Sequence, residues 1–337
     1  MVYSGAGDRQ PTVALLIYSE LQQDIFSAEV RAQLYALAHI ISFSNGKPSA
    51  KDLQPLLQQS VACITGWDTP PLDDTLLDGA PQLRLIAHTA GSIRALVPPS
   101  VFERGVHVSH SNASLAEGVA EFTILQALLC LRRVCTFDRL LKEGQLWVHE
   151  PGRLLRTQTF GIVSMGSIGR EVISRLKPFG CRIIAYDPYM DATELRALGA
   201  EPTDLKTLFA SADIVSLHTP LLPATRGMID AEHLALLRDG AIFLNTARAG
   251  LVDEAALLRE LATGRFMAAL DVFHIEPLPI DSILRTLPNV ILSPHIAALT
   301  SDTLYLQGQM MVDELRRFLH GEKLQYEVRS EQFSTMA

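Results

Sequence analysis

The sequence predicts an α/β protein of two domains, the second built on a doubly wound parallel sheet. Three observations carry this expectation. Short apolar runs alternate with amphipathic stretches along almost the whole chain, the pattern of strands joined by helical crossovers. At 337 residues the length suits about two domains of ordinary size. Finally, "FGIVSMGSIGR" (residues 160–170) runs a buried strand into a helix through a glycine-rich loop, the layout of a turn that cradles phosphates.

In the first block, "TVALLIY" reads as a strand and "SAEVRAQLYALA" as a helix, followed by the strands "ACITG", "LRLIAHTA" and "VHVSH". The block ends near Asn112. "SLAEGVAEFTILQALLCLRRV" is then a long helix suited to linking two domains, and "LLKEGQLWVHEPGRLLRTQ" breaks the periodicity as an extended arm. A second series begins at Thr159. The strand "TFGIV" leads to a helix whose Ile168, Val172, Leu176 and Phe179 fall at i, i+4, i+8 and i+11, closed by Gly180. "CRIIAYD", "DIVSLH", "AIFLNTAR", "FMAALDV" and "VILSPH" complete six strands, separated by helices such as "EAALLRELATG", for which Asp253 reads as the N-cap. "SDTLYLQGQMMVDELRRFL" is a last amphipathic helix, able to return to the first domain.

Hydrophobic residues at 48% and charged residues at 20% suit a compact globule. A net charge of −8 argues against nucleic acid or anionic membrane as the main partner. The N-terminus lacks a basic stretch followed by a long apolar one, and no uninterrupted apolar run reaches the ~18 residues of a spanning helix. The four cysteines show neither C-x-x-C nor zinc-ligand spacing. They read as reduced thiols of a cytoplasmic protein without a metal site, with Cys130 in a helix core.

Gly166 and Gly169 follow a strand and open a helix, and Asp187 lies 21 positions after Gly166, close to the spacing of an acid that binds ribose hydroxyls. No Gly-Lys-Ser/Thr follows, which excludes a P-loop. Ser164 occupies the first glycine position of G-x-G-x-x-G. It needs a positive φ or a different turn, at roughly 1 kcal/mol. Three later stretches stand at strand ends, where open α/β sheets bind ligands: "NTARAGLVDEAAL" with Arg248, "ALDVFHIEPLP" with Asp271 and Glu276, and "ILSPHIAALT" with His295. A cation for a carboxylate, a histidine for a proton and an acid to orient the histidine form a coherent set. Singly, each has an ordinary reading as a surface arginine, a loop charge before Pro277 or a satisfied loop histidine. His218 reads as a strand-end histidine bonded to backbone, and His107 and His110 as structural.

In order and spacing, "GSIGR" with "AYDP", "HTPLLPATRGMI", "LLRDGAIFLNTARAGLVDEAAL", "AALDVFHIEPLP" and "NVILSPHIAALT" resemble the NAD-dependent D-2-hydroxyacid dehydrogenase family. "TGWDTPPL", "AHTAGSIR" and "VAEFTILQALL" extend the resemblance over nearly the whole chain. It implies a flavodoxin-like substrate domain over residues 1–111 and 299–337, with a Rossmann domain for NAD(H) inserted over 112–298. It also implies that Arg248 binds the substrate carboxylate, Glu276 orients the histidine and His295 is the acid/base. Ser167, Ile168, Asp187, Thr219, Thr246, Ala247 and Asp271 match cofactor contacts, beside Gly166 and Gly169; Asp271 also reads as a plain strand-end acid. Ala90, Gly91 and Ser92 match a backbone turn that holds the carboxylate. Departures are Ser164, the lead-in "LLRTQT" with Leu154 and Thr157 for an acid and a glycine, and Ala249 for a glycine. The implied reaction interconverts a 2-oxo acid and a D-2-hydroxy acid, in a homodimer paired through "LLKEGQLWVHEPGRLL". Two other uses stay open: an NAD(H)-binding sensor or corepressor without turnover, and a phosphite- or formate-type dehydrogenase.

Overall fold

The computed structural model describes residues 10–43, 46–145, 147 and 150–333. The chain divides into two units, Met1–Leu115 with Thr300–Ala337, and Ala116–Leu299. The seams expected at 111/112 and 298/299 therefore fall at 115/116 and 299/300, the first of them inside the helix Asn112–Arg132.

The first unit holds β1 (Thr12–Leu16), β2 (His39–Ser42), β3 (Ala62–Thr65), β4 (Leu85–His88) and β5 (His107–His110). They run in the order β2-β1-β3-β4-β5, and each pairing is parallel, which is the flavodoxin-like order. β2 is not among the strands expected from the sequence. It is four residues long and exposed at both ends, so it carries no buried apolar run to betray it. The last helix, Ser301–Leu319, belongs to this unit. Its Met310, Met311, Val312 and Leu315 pack with Val13, Leu15, Ile64 and Ala87. Gly308 lets it approach closely: a Cβ there would stand 2.2 Å from Ile25 O.

The second unit holds β6 (Thr159–Val163), β7 (Arg182–Tyr186), β8 (Glu201–Pro202), β9 (Ile214–Leu217), β10 (Ile242–Asn245), β11 (Met267–Leu270) and β12 (Val290–Leu292). Their order is β12-β11-β10-β9-β6-β7-β8, parallel at every pairing. The order reverses between β6 and β9, which makes their carboxyl ends the switch point where such sheets take ligands. Helices cover both faces, so the strands are apolar at consecutive positions. Val163, Val215, Leu217 and Phe243 face one layer, while Phe160, Ile162, Ile214 and Leu244 face the other. β8 escapes a sequence reading because it is two residues at the sheet edge and contains a proline.

The helix Asn112–Arg132 is long and apolar enough to cross a bilayer, yet more than half of its apolar window is buried in the protein. Its Ala120, Ala127, Cys130 and Leu131 lie in the core of the second unit, and burial pushes the Cys130 thiol up to about 12. The expected arm begins later than its sequence suggests, because Val134–Lys142 is a helix with no buried residue. Within the arm, residues 146, 148 and 149 lie outside the described residues. The helix Ser167–Leu176 buries Val172, Ile173 and Leu176. Phe179 falls in the tighter turn Lys177–Phe179, ahead of Gly180 at φ 66, and is 39% exposed because the 3.6-residue period no longer applies there.

Candidate active site

β6 ends at Val163, and the helix Ser167–Leu176 takes Gly166 as its N-cap. Between them Ser164 has φ 76, a left-handed conformation that strains a non-glycine residue by about 1–2 kcal/mol. Its N–H donates to Tyr186 O at 2.8 Å, and its Oγ lies 2.7 Å from Thr219 Oγ1. A Cβ on Gly169 would stand 2.4 Å from Ser164 O, so this close approach requires glycine there, while the space beside Gly166 is open to 4 Å. The first turn, with Ser167 and Ile168, has no side-chain cap, which leaves amide N–H groups and the positive dipole end for an anion. Asp187 braces the loop: Met165 N–H donates to its Oδ2 at 2.7 Å and Tyr189 N–H to its Oδ1 at 2.8 Å. A carboxylate keeps further lone-pair capacity beyond two such bonds. A glycine cradle, uncapped amides and an acid after the next strand fit a dinucleotide.

The end of β10 carries Thr246, Ala247 and Arg248. Thr246 Oγ1 is 3.2 Å from Thr123 Oγ1, and Ala247 N–H donates to Asn245 Oδ1 at 3.1 Å. Arg248 Nη1 donates to Ala247 O at 2.7 Å. Burial draws the Arg248 guanidinium below its ordinary value, with the Glu276 charge acting against this. A partly desolvated cation of this kind attracts an anion more strongly than one in water.

His295 and Glu276 meet directly, Nδ1 to Oε2, at 2.8 Å. Glu276 Oε1 accepts the Phe273 N–H at 2.9 Å. Burial acts to raise the Glu276 carboxyl; the His295 bond, the Phe273 amide and the charges of His295 and Arg248 outweigh it and hold the group below its ordinary value. The side chains of His295 and Glu276 remain 47% and 38% exposed. With Nδ1 on the acid, Nε2 is the nitrogen left to exchange a proton with a substrate.

His295 has φ 55, and Asp271 holds the loop that carries it. Asp271 is 1% exposed. Its Oδ1 accepts from Ser293 Oγ at 2.6 Å and Ile296 N–H at 3.0 Å, and its Oδ2 accepts from Ala297 N–H at 2.9 Å. The sequence readings of Asp271, a cofactor contact or a strand-end acid, both miss this clamp on the histidine loop. No local signal links it to residues 25 and 26 positions further on.

Asp253 caps its helix, accepting from Ala256 N–H at 2.9 Å. His218 differs from its sequence reading: its ring Nε2 lies 2.9 Å from Ser216 Oγ rather than on backbone. Its buried Nδ1 has no partner among the described residues, and burial lowers its pKa to about 3. In the first unit, the amides of Ala90, Gly91 and Ser92 donate no hydrogen bond among the described residues, while Ala90 O accepts Ser111 N–H at 3.2 Å. Adjacent free amides of this kind suit a carboxylate. No group of side chains able to hold a metal occurs among the described residues.

Residues 124–297 match the family described as D-isomer specific 2-hydroxyacid dehydrogenase, NAD binding domain. The chain is 37% identical over 246 residues to a hydroxypyruvate reductase of Thermotoga maritima, covering 71% of this chain and 79% of that protein. It is 36% identical over 260 residues to a glyoxylate reductase of Korarchaeum cryptofilum, covering 75% and 78%. Among solved structures, a glyoxylate reductase from Paecilomyes thermophila superimposes with a TM-score of 0.82 at 25% identity, covering 96% of this chain and 100% of that one. With the dinucleotide loop and the histidine–glutamate pair in the second unit, these matches lead to one conclusion: the chain belongs to the D-isomer specific 2-hydroxyacid dehydrogenase family, as an NAD(H)-dependent oxidoreductase.

Proposed function

We propose that this chain interconverts a small 2-oxo acid and the D-2-hydroxy acid, with His295 as acid/base, Glu276 orienting it and Arg248 binding the substrate carboxylate. The observation that carries the reading is the 2.8 Å contact between His295 Nδ1 and Glu276 Oε2, coupled by charge to the half-buried Arg248. When bound, NAD(H) supplies or accepts the hydride at the substrate's C2. His295 gives the Nε2 proton to the C2 oxygen as negative charge develops there, and takes it back in the oxidative direction. Glu276 holds the imidazole in one tautomer and stabilises its charged form. Arg248 pairs with the carboxylate, and Ala90, Gly91 and Ser92 of the first unit are proposed as substrate-binding residues on the family resemblance, their amides donating no hydrogen bond among the described residues. Such positioning and charge stabilisation account for most of the rate effect in sites of this type. The contacts of Gly166, Ser167, Ile168, Gly169, Asp187, Thr219, Thr246, Ala247 and Asp271 with the cofactor are part of the same proposal. Asp187 favours NAD(H), since a carboxylate repels the 2′-phosphate of NADP.

The test is a panel of 2-oxo acids, glyoxylate and hydroxypyruvate first, assayed with NADH and NADPH. NADH binding without turnover of any 2-oxo acid would sink the reading and favour a sensor. Oxidation of phosphite or formate alone would favour the third use.

We further propose a homodimer in the cytoplasm. The helix Val134–Lys142 leaves Val134 and Leu141 47% and 51% exposed, and Leu154 beyond it is 59% exposed, apolar surface that a second copy would cover. Sedimentation giving the mass of one chain at micromolar concentration would refute the pairing. Recovery outside the cytoplasmic fraction would refute the location.

A further inference from the structure

At Ser164 the dinucleotide loop departs from glycine, and the departure creates a contact that glycine cannot make. Ser164 Oγ lies 2.7 Å from Thr219 Oγ1, and Thr219 Oγ1 reaches Val163 O at 3.5 Å. Ser164 follows β6 and His218–Thr219 follow β9, the neighbouring strands at which the sheet order reverses. His218 N–H donates to Val163 O at 2.9 Å, so backbone pairing extends to this point. The hydroxyl pair carries the connection one residue further, beyond the sheet. Thr219 is 5% exposed, and water competes poorly for a bond so placed.

We infer that Ser164 is a positioning residue for the cofactor: its hydroxyl fastens the dinucleotide loop to the Thr219 segment, so that both are ordered before NAD(H) arrives. The inference rests on the family's cofactor and is independent of which 2-oxo acid is reduced. A residue in the left-handed region persists only where its surroundings over-determine it. Here the Tyr186 carbonyl, the approach of Gly169 and the Thr219 hydroxyl do so together. Glycine at this position relaxes the backbone but admits more conformers, and a ligand must then order the loop as it binds. The pair uses one hydroxyl proton between its two oxygens. The other is left for Val163 O or a ligand oxygen.

A double-mutant cycle on the full chain tests this, with Ser164→Ala, Thr219→Val and their combination. The readouts are the NADH dissociation constant by equilibrium titration and amide exchange over residues 164–169 without cofactor. Each single change should raise the dissociation constant ~5–10-fold, the scale of one neutral hydrogen bond, and the double change no further than ~10-fold. Exchange should quicken in Ser164→Ala. Thr219→Ser keeps the hydroxyl and should stay within ~2-fold of the unaltered protein. Ser164→Gly should weaken NADH binding as Ser164→Ala does, while melting no lower than Ser164→Ala, since it sheds the backbone strain. Effects that multiply in the double change overturn the inference. So does unchanged NADH affinity alongside a lowered melting temperature, or Thr219→Ser binding as weakly as Thr219→Val. If the unaltered protein fails to bind NADH, the inference falls together with the cofactor assignment.

Discussion

Asp271→Asn removes one carboxylate oxygen from a site where three donors converge. Asp271 is 1% exposed, and it accepts from Ser293 Oγ, Ile296 N–H and Ala297 N–H. Asparagine keeps the volume but turns an NH₂ toward either the Ala297 amide or the Ile296 amide, so one donor must face another. Leaving a buried donor unsatisfied costs about 1–3 kcal/mol, and the remaining bonds lose their charge assistance, together about 3 kcal/mol. For a unit of this size each kcal/mol is worth about 2–4 °C, so the second unit should melt about 6–12 °C lower. The same loop carries His295 at φ 55, so catalysis should suffer beyond stability. A misplacement of that histidine by about 1 Å costs on the order of 10²-fold. Calorimetry with steady-state kinetics below the melting range checks both. If Asp271→Asn melts within a degree of the unaltered protein and keeps kcat, the three bonds do not hold the loop. If only NADH affinity falls, Asp271 is a cofactor contact alone.

Removing His295 as His295→Ala should cost both directions ~10²–10⁴-fold in kcat/KM, the range for a general acid–base; a loss below tenfold would identify another proton donor. Glu276→Gln keeps the shape and removes the charge, and should lower kcat/KM at least ~10-fold; full activity would end its orienting role. Asp187→Ala should narrow the preference for NADH over NADPH, and it also frees the Met165 and Tyr189 amides; an unchanged ratio means that another residue sets the choice. Acid should weaken the first unit through two buried histidines. Burial, with the His110 charge adding, holds His88 at about 3, and burial holds His110 at about 4, against an ordinary 6.5. The unfolded chain takes up these protons first. Their contribution to stability is therefore complete above pH 6.5 and is lost as pH falls toward 3 to 4, at about 1.4 kcal/mol per pH unit for each histidine. Melting curves between pH 7 and 4.5 should show a shallower slope for His88→Gln; an equal slope would refute the assignment.

Much of the fold is legible because its strands are buried on both faces. β9 and β10 are buried at every position, and a chain of apolar residues between turn signals has few other readings. β2 and β8 are not legible, since edge strands of four and two residues bury too little to leave a pattern. The helix Val134–Lys142 hides for a related reason: no residue of it is buried, so its apolar spacing has no core to point toward. In the site, Arg248, Glu276 and His295 can be found one by one because each follows a strand. The partners that hold them cannot. Ser164 to Thr219 spans 55 positions and Asp271 to Ala297 spans 26, distances over which only the strand order brings residues together. Ser164 is a partial exception, because a serine in a glycine's place announces that its backbone needs explaining.

Asp187 and Asp271 stand in the same relation to the sheet. Each is the first residue after a strand, β7 and β11, and each accepts amides from the segment following the adjacent strand, β6 and β12. The cofactor loop and the histidine loop are thus shaped by the register of their neighbours. A slip of one residue in β7 or β11 would turn the acid to the opposite face of the sheet and release the loop it holds. Activity in this protein is then a late event of folding: during renaturation, NADH binding and turnover should return only after the parallel strands have locked, behind any signal that reports helix content alone.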